Sequence, residues 1–336
     1  MSKRDIVVVG ASAGGVEALT ELVAGLPANL RAAVFVVLHV PPQGESHLPH
    51  ILSRVGALRA VIAQDGDEIQ CGRIEIAPPD HHLLLTQERV RVVYGPRENH
   101  FRPAVDPLFR SAALAFGSRV IGVVLTGALD DGASGLVAIK RLGGLAVVQD
   151  PETAAFPSMP RAAMNYVEVD ACLPVVELAS KIVALTKTEA PMPETPHDAT
   201  DLEREVKIAG LDLSVIEQDE QQQGSLVAIT CPECHGPLWE VADDGPLRYR
   251  CRVGHAYTAE AMESGLARET EDALWTALNT LEESAKLYRR LAAQATADRE
   301  KERRYAQAAQ KYQSRAGAIR KLLGNGSITE EPNLEQ

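Results

Sequence analysis

Across residues 1 to about 186, short β-branched runs alternate with glycine-punctuated amphipathic stretches, and this alternation restricts the fold more than any other feature of the chain. Ile6-Val-Val-Val9, Val34-Phe-Val-Val-Leu38, Gly122-Val-Val-Leu125 and Leu145-Ala-Val-Val148 read as strands buried on both faces. Gly15 to Ala24, Pro107 to Ala115, Ala133 to Leu142 and Val175 to Leu185 carry apolar residues three or four apart and read as helices. Such a succession predicts an α/β domain with a doubly wound, mainly parallel sheet. Between Ala60 and Gly95 the texture changes to the short segments AVIA, RIEIAPP, HHLLLTQ and RVRVVYG, which predicts an antiparallel hairpin insert.

The 336 residues suffice for one substantial core plus smaller units, and the net charge of -12 opposes a protein that grips nucleic acid by its phosphates. No run approaches the ~18 apolar residues that span a bilayer, so no membrane insertion is expected. The start MSKRDIVVVGASAGG leads straight into a strand, and a cytoplasmic protein is expected. The proline-rich, acidic stretch after Thr186 ends the first domain by composition. The expected organisation is therefore an α/β domain over 1–186, a linker over 187–224, a Cys/His ribbon over 225–258, a helical hairpin over 259–325 and a disordered tail over 326–336. In the hairpin, Leu266, Thr270, Ala273, Ala277, Leu281, Ala285 and Tyr288 keep helical spacing, and Tyr305, Ala308, Tyr312, Ala316 and Ile319 resume it after Thr296-Ala-Asp298. Such helices are expected either to associate with a second copy or dock a partner, or to pack on themselves as a hairpin.

Chemistry concentrates at strand ends. GASAGG at residues 10–15 puts Ser12 in a G-x-S-x-G frame between a strand and a helix, where small neighbours permit a sharp turn and the helix N-terminus offers N–H groups to an oxyanion. The same glycines suit a phosphate, but a dinucleotide fingerprint requires glycine where Ser12 stands and an acidic residue where His39 ends the second strand. His39 shares the carboxyl edge of the sheet with Ser12, and LTGALDDG at 125–132 brings Asp130 and Asp131 to the same edge. A hydroxyl, an imidazole to take its proton and a carboxylate to orient the imidazole make a nucleophilic set. Its chain order of Ser, His, Asp differs from that of ordinary α/β hydrolases. Asp106 competes for the histidine but begins a predicted helix, where capping is the commoner duty.

Cys231 and Cys234 form a C-x-x-C knuckle, and Cys251 and His255 follow as a second pair, a set suited to a structural tetrahedral Zn²⁺ in a small ribbon. Three free thiols of a decayed ribbon, or a redox pair at Cys231 and Cys234, are the alternatives. Cys71 and Cys172 are expected as reduced, buried residues. His47 and His50 lack further ligands.

The segments GASAGGVEAL, LHVPP, APPDHHLLL, HFRPAVDPLFRSAA, GVVLTGALDDGASGL and VVQDPETAAFPSMPRAAM follow one another over about 180 residues and together resemble the catalytic domain of the chemotaxis protein-glutamate methylesterase family, CheB. The resemblance implies Ser12 as nucleophile, His39 as base and Asp131 as acid, with Asp130 a bystander. It further implies oxyanion donors at the backbone N–H groups of Ala13 and Ala128 and a cleft flanked by His81, His82 and His100; Arg102 is expected either to meet an acidic receptor surface or to be solvated or paired. The implied reaction is hydrolysis of glutamate γ-methyl esters on the cytoplasmic region of chemoreceptors, with glutamine deamidation as the same acyl chemistry and no cofactor for catalysis. The family usually carries an N-terminal receiver domain. Here the sheet begins at residue 5, so control by such a receiver is not expected. A catalytically idle scaffold in a signalling array and a nucleotide-binding regulator are the competing expectations.

Overall fold

The β-branched runs form a seven-stranded parallel sheet in the order β3-β4-β2-β1-β7-β8-β9. Its strands are β1 (Ile6–Ala11), β2 (Ala33–Leu38), β3 (Arg59–Ile62), β4 (Arg73–Ile76), β7 (Val120–Val124), β8 (Leu145–Gln149) and β9 (Ala171–Leu173). The structure is a computed structural model that describes residues 3–191, 199–212, 214–215, 224–241 and 245–324. Every residue of β1 is buried, and alternate side chains serve opposite layers: Val7, Val9 and Ala11 face one core, Ile6 and Val8 the other. The first layer holds α1 (Gly15–Ala24), α2 (Leu48–Val55) and α6 (Val175–Leu185). The second holds α3 (Val105–Phe116), α4 (Ala133–Arg141) and α5 (Ser158–Tyr166). Burial of each Val, Leu or Ile contributes roughly 1.5–3 kcal/mol, so sandwiching a β-branched sheet between two apolar helix layers is the main stabilising term.

The expected insert is only half antiparallel. β5 (His82–Leu85) and β6 (Val90–Val93) pair as a hairpin whose Leu83, Leu85 and Val90 pack with α3. AVIA and RIEI instead become β3 and β4 and extend the main sheet in parallel, β4 against β2. Ile74 and Ile76 are almost completely buried, and that burial is available only inside the sheet.

Within the 187–224 stretch expected as linker, Thr200–Ala209 forms α7, which buries Leu202, Glu205 and Ile208. Beyond it lies an antiparallel sheet in the order β10-β11-β12-β13, comprising β10 (Leu226–Thr230), β11 (Pro237–Val241), β12 (Arg248–Cys251) and β13 (Ala256–Thr258). Two long helices follow, α8 (Ala259–Gln294) and α9 (Arg299–Gly324), with the expected break between them. The chain divides into two compact units, Met1–Met262 and Glu263–Gln336. In the second, Tyr288 stacks on Tyr312 at 5.4 Å and Arg289 donates to Gln313, so the hairpin packs on itself. The tail at 326–336 lies outside the described residues. Cys71 and Cys172 depart from expectation: Cys71 is exposed in the turn before β4, and Cys172 is half-buried beside Met164. Among the described residues no helix is long and apolar enough to cross a membrane.

Candidate active site

β1 lies between β2 and β7, so successive crossovers leave it in opposite directions and a crevice opens beyond the carboxyl ends of these three strands. Ser12, His39 and the 125–132 loop occupy those three ends. The backbone ties them together: Ser12 N–H donates to the Thr126 carbonyl at 3.0 Å, and His39 N–H to the Ala11 carbonyl at 3.1 Å. His39 Nδ1 lies 3.1 Å from Ser12 Oγ, and His39 Nε2 lies 2.7 Å from Asp131 Oδ2. An ionised carboxylate only accepts, so Nε2 carries the proton and Nδ1 is left to accept the Ser12 hydroxyl. The His39 and Asp131 side chains are almost wholly buried, and the imidazole stacks flat on Phe101 with centroids 3.7 Å apart.

Asp131 is anchored from several sides. Val105 N–H donates to Oδ2 at 2.6 Å, while Asp106 N–H and the Asn99 side-chain amide each donate to Oδ1 at 3.2 Å. The carboxylate thereby caps α3, whose N-terminus favours negative charge. Burial pushes its pKa up, but the hydrogen bond and charge of His39, with the Val105 and Asn99 donors, outweigh burial and hold it below the usual carboxylate range. Asp106 does the reciprocal work, its Oδ1 accepting the N–H groups of Gly132 at 3.0 Å and Gly135 at 2.6 Å at the start of α4. Burial and the charge of Asp131 push Asp106 well above its ordinary value. The two adjacent buried carboxyls are shifted in opposite directions, and the one held below its ordinary value faces His39.

The loop after β7 presses against Ser12. A Cβ added at Gly127 would fall 2.8 Å from Ser12 Cβ and 2.0 Å from Met159 Sδ, so only glycine permits this approach. Thr126 Oγ1 donates to the Ala13 carbonyl at 3.0 Å and accepts from Phe156 N–H at 2.8 Å, which joins the Ser12 turn to the segment before α5. Among the described residues, the backbone N–H groups of Ala13 and Ala128 donate to no other group of the chain.

The neighbouring sequence candidates have other duties. His82 is fully buried, donating from Nε2 to the Pro96 carbonyl at 2.7 Å and accepting from Ala104 N–H at Nδ1; burial holds its pKa down. His81 sits edge-on to Tyr94, and His100 donates to the Ala261 carbonyl at 2.7 Å. Arg102 is paired, with Nε and Nη2 on Asp80 and its guanidinium over the Tyr94 ring at 3.6 Å. His47 and His50 sit at the start of α2. Phe101 and Asn99 were not singled out by sequence reasoning. Both lie in or beside the HFRP segment, but neither residue type announces a role.

Asp130 lies beside Asp131 and accepts the Thr258 hydroxyl at 2.6 Å. Burial, and then the charges of Glu260 and Asp131, push its pKa up to about 7 against the relief from Thr258, and Tyr166 also senses its charge. The folded protein thus holds this proton more tightly than the unfolded chain, whose aspartates titrate near 3.8. Asp130 costs nothing below pH 4 and destabilises progressively as the pH rises through 7, by roughly 2–4 kcal/mol. Asp130→Asn is expected to match the native chain in urea unfolding near pH 4 and exceed it at pH 8. An unchanged pH slope would contradict this origin.

The cysteine cluster is assembled on the four-stranded sheet. Ligand atoms of Cys231, Cys234, Cys251 and His255 lie within 4.8 Å of one another. Cys231 Sγ and Cys251 Sγ stand 3.7 and 3.6 Å from His255 Nδ1, and Cys234 Sγ stands 3.6 Å from Cys251 Sγ. A tetrahedral zinc with bonds of about 2.0–2.3 Å separates its ligand atoms by roughly 3.5–3.8 Å, so the donor set fits in kind and in size.

Ser12, His39 and Asp131 come within hydrogen-bonding distance of one another in turn at the switch point of a doubly wound sheet, an arrangement suited to a hydrolase. The family model described as CheB methylesterase matches residues 7–182, and this chain belongs to that family as a hydrolase of its kind. The crystal structure of the Thermotoga maritima CheB methylesterase catalytic domain is 33% identical, with a TM-score of 0.53, and the match covers 55% of this chain and 99% of that one. A Leptospira interrogans relative is 36% identical over 182 residues, 54% of this chain and 94% of its own length. Protein-glutamate methylesterase/protein-glutamine glutaminase 2 of Methanosarcina acetivorans is 38% identical over 190 residues, and the chain spans 53% of that relative's length.

Proposed function

We propose that this chain is a cytoplasmic serine hydrolase that removes γ-methyl esters from glutamate side chains of chemoreceptors or related signalling proteins, and that it deamidates glutamine by the same route. The observation that carries the reading is the convergence of Ser12, His39 and Asp131 on one sheet edge in a chain of the CheB family. His39 Nδ1 takes the hydroxyl proton as Ser12 Oγ attacks the ester carbonyl. Asp131 holds the Nε2 proton and stabilises the imidazolium. The backbone N–H groups of Ala13 and Ala128 receive the oxyanion. His39 returns the proton to the departing methoxide, methanol leaves, and a glutamyl-serine ester remains. Water activated by His39 then hydrolyses that ester to glutamate and free Ser12. With ammonia as leaving group the same cycle deamidates. An idle scaffold is not favoured, since every group of the relay is present at hydrogen-bonding distance. Methanol release from a methylated receptor fragment tests the reading; no release, while Ser12 still reacts with a serine-directed phosphonate, would overturn the substrate and leave the hydrolase.

Cys231, Cys234, Cys251 and His255 form a structural Zn²⁺ site in the same reading, with no part in the acyl chemistry. Elemental analysis of the purified chain is expected to find about one zinc per chain, lost in Cys251→Ser. A folded, metal-free native protein would overturn it. Self-association through α8 and α9, which leave Trp275, Leu287 and Leu322 exposed, completes the reading. Sedimentation equilibrium checks it, and a monomer at every concentration would remove it.

A further inference from the structure

The turn that carries Asn99 is the meeting point of the relay and the Cys/His sheet. Asn99 and His100 both have positive φ, 50° and 71°, and the Glu98 and Phe101 backbones pair across them, which is the geometry of a type I′ turn. Neither residue is glycine, and histidine in the left-handed region persists only when its surroundings hold it there. Those surroundings come from the Cys/His sheet and the residues directly after it. Ala256 N–H donates to the Arg97 carbonyl at 3.2 Å and Asn99 N–H to the Ala256 carbonyl at 2.8 Å, so Glu98 forms a single parallel bridge to Ala256 of β13. Thr258 N–H donates to Asn99 Oδ1 at 2.9 Å, and His100 rests on Tyr257 and donates to the Ala261 carbonyl. One side of the turn therefore touches the relay, through the Asn99 amide on Asp131 Oδ1 and Phe101 under His39, and the other touches β13. His255, a member of the cation-binding set, immediately precedes β13.

We propose that Asn99 is a positioning residue for Asp131 and that the Cys/His sheet, ordered by its metal, holds Asn99 in place, so that metal occupancy sets the reactivity of Ser12. The inference rests on the reading of Ser12, His39 and Asp131 as the catalytic set and of the Cys/His cluster as a zinc site. Thr258 fixes the amide's orientation: its N–H occupies Oδ1, which turns Nδ2 to the carboxylate. Loss of the metal frees β13, the turn relaxes from its left-handed conformation, and Asp131 loses one of its two Oδ1 donors. No covalent chemistry at the metal is involved.

The test is the rate of Ser12 labelling by a fluorophosphonate in the full chain, which reads the nucleophile whatever the natural substrate. Asn99→Gly keeps the turn, because glycine adopts positive φ freely, and removes the amide. It is expected to slow labelling about tenfold, the loss of one hydrogen bond to a charged group, while zinc content stays near native; the thermal midpoint drops with the loss of the Thr258 acceptor. With an ester substrate the loss should fall on kcat with KM unchanged. Asn99→Asp, which still accepts from Thr258 but cannot donate to Asp131, should be slowed at least as much. Chelating the zinc from native protein should slow labelling by a similar factor, and chelation of Asn99→Gly should add little, since both act through one contact. Native labelling rates in both Asn99 variants, or equal slowing of native and Asn99→Gly proteins by chelation, would overturn the proposal. Failure of the native protein to label at all would overturn the catalytic reading and this inference with it, whereas labelling without methanol release would strike only the substrate.

Discussion

Ser12→Ala is expected to lower kcat on the order of 10⁶-fold, with the fold unchanged. On the proposed mechanism the effect is large because the three groups work as a unit: without Oγ, the imidazole at 3.1 Å has no proton to take and no acyl-enzyme can form. Removing the imidazole alone should cost about as much, and adding His39→Ala to Ser12→Ala should cost little more, since groups that act together do not add. Asp131→Asn is expected to be milder, on the order of 10⁴-fold, because it leaves the ring in place but no longer favours the tautomer with its proton on Nε2. The surroundings favour that tautomer: Val105 N–H, Asp106 N–H and the Asn99 amide fill three of the roughly four acceptor sites of an ionised carboxylate, and the remaining one on Oδ2 accepts from His39 Nε2. Rapid-quench measurement of acyl-enzyme formation checks the prediction. A Ser12→Ala protein that retains a tenth of native turnover would remove Ser12 from the chemistry.

The convergence of Ser12, His39 and Asp131 was legible because all three lie at strand ends, and strand ends are marked by composition. A buried parallel strand reads as a continuous β-branched run, so the residue that ends it has a predictable place even when its partners are distant in sequence. The edge of the sheet was less legible. AVIA and RIEI are as short as true hairpin strands, and nothing in four residues records whether the neighbouring strand is parallel. α7 was hidden for a different reason. It is a ten-residue helix in an acidic, proline-rich surrounding, and its buried face includes a charged residue, Glu205, that periodicity counts as solvent-facing. The supports of the site were the hardest to see. Asn99 and Phe101 lie on a turn whose left-handed residues are not glycine, and the groups that contact it arrive from Ala256, Thr258 and Ala261, more than 150 positions away.

Because the cysteine spacing marks a small ribbon, it is natural to regard that ribbon as an appendage, but its sheet is joined to the α/β body by a buried ionic cluster. Arg248 Nη1 and Arg250 Nη2 donate to Glu205 Oε2 at 2.8 and 2.5 Å, and Arg110 of α3 donates to both carboxylate oxygens of Glu98 at 2.6 Å. These side chains are all almost fully buried, so the arginines were stripped of water on folding and depend on the carboxylates.

Glu205→Ala is therefore expected to destabilise the protein by about 3–5 kcal/mol, well beyond the loss of a surface ion pair, because it removes the carboxylate that Arg248 and Arg250 share in a buried site. Burial alone would raise the Glu205 pKa, but Arg250, Arg248 and Arg110 outweigh it and hold the group far below the usual carboxylate range. A depressed pKa means that Glu205 contributes its full stability above the unfolded value near 4.5 and loses it as the pH falls below that value towards the folded one. Native protein should lose stability steeply on acidification, and Glu205→Ala should flatten that slope while lowering the plateau at neutral pH. Asp130 acts with the opposite sign at higher pH, so the two single variants separate the acid and neutral limbs of one stability profile. Urea unfolding across pH 3–8 measures both limbs. A Glu205→Ala protein within about 1 kcal/mol of native at pH 7 would show that the arginines find water or other partners, and that the α7 carboxylate does not hold the ribbon to the sheet.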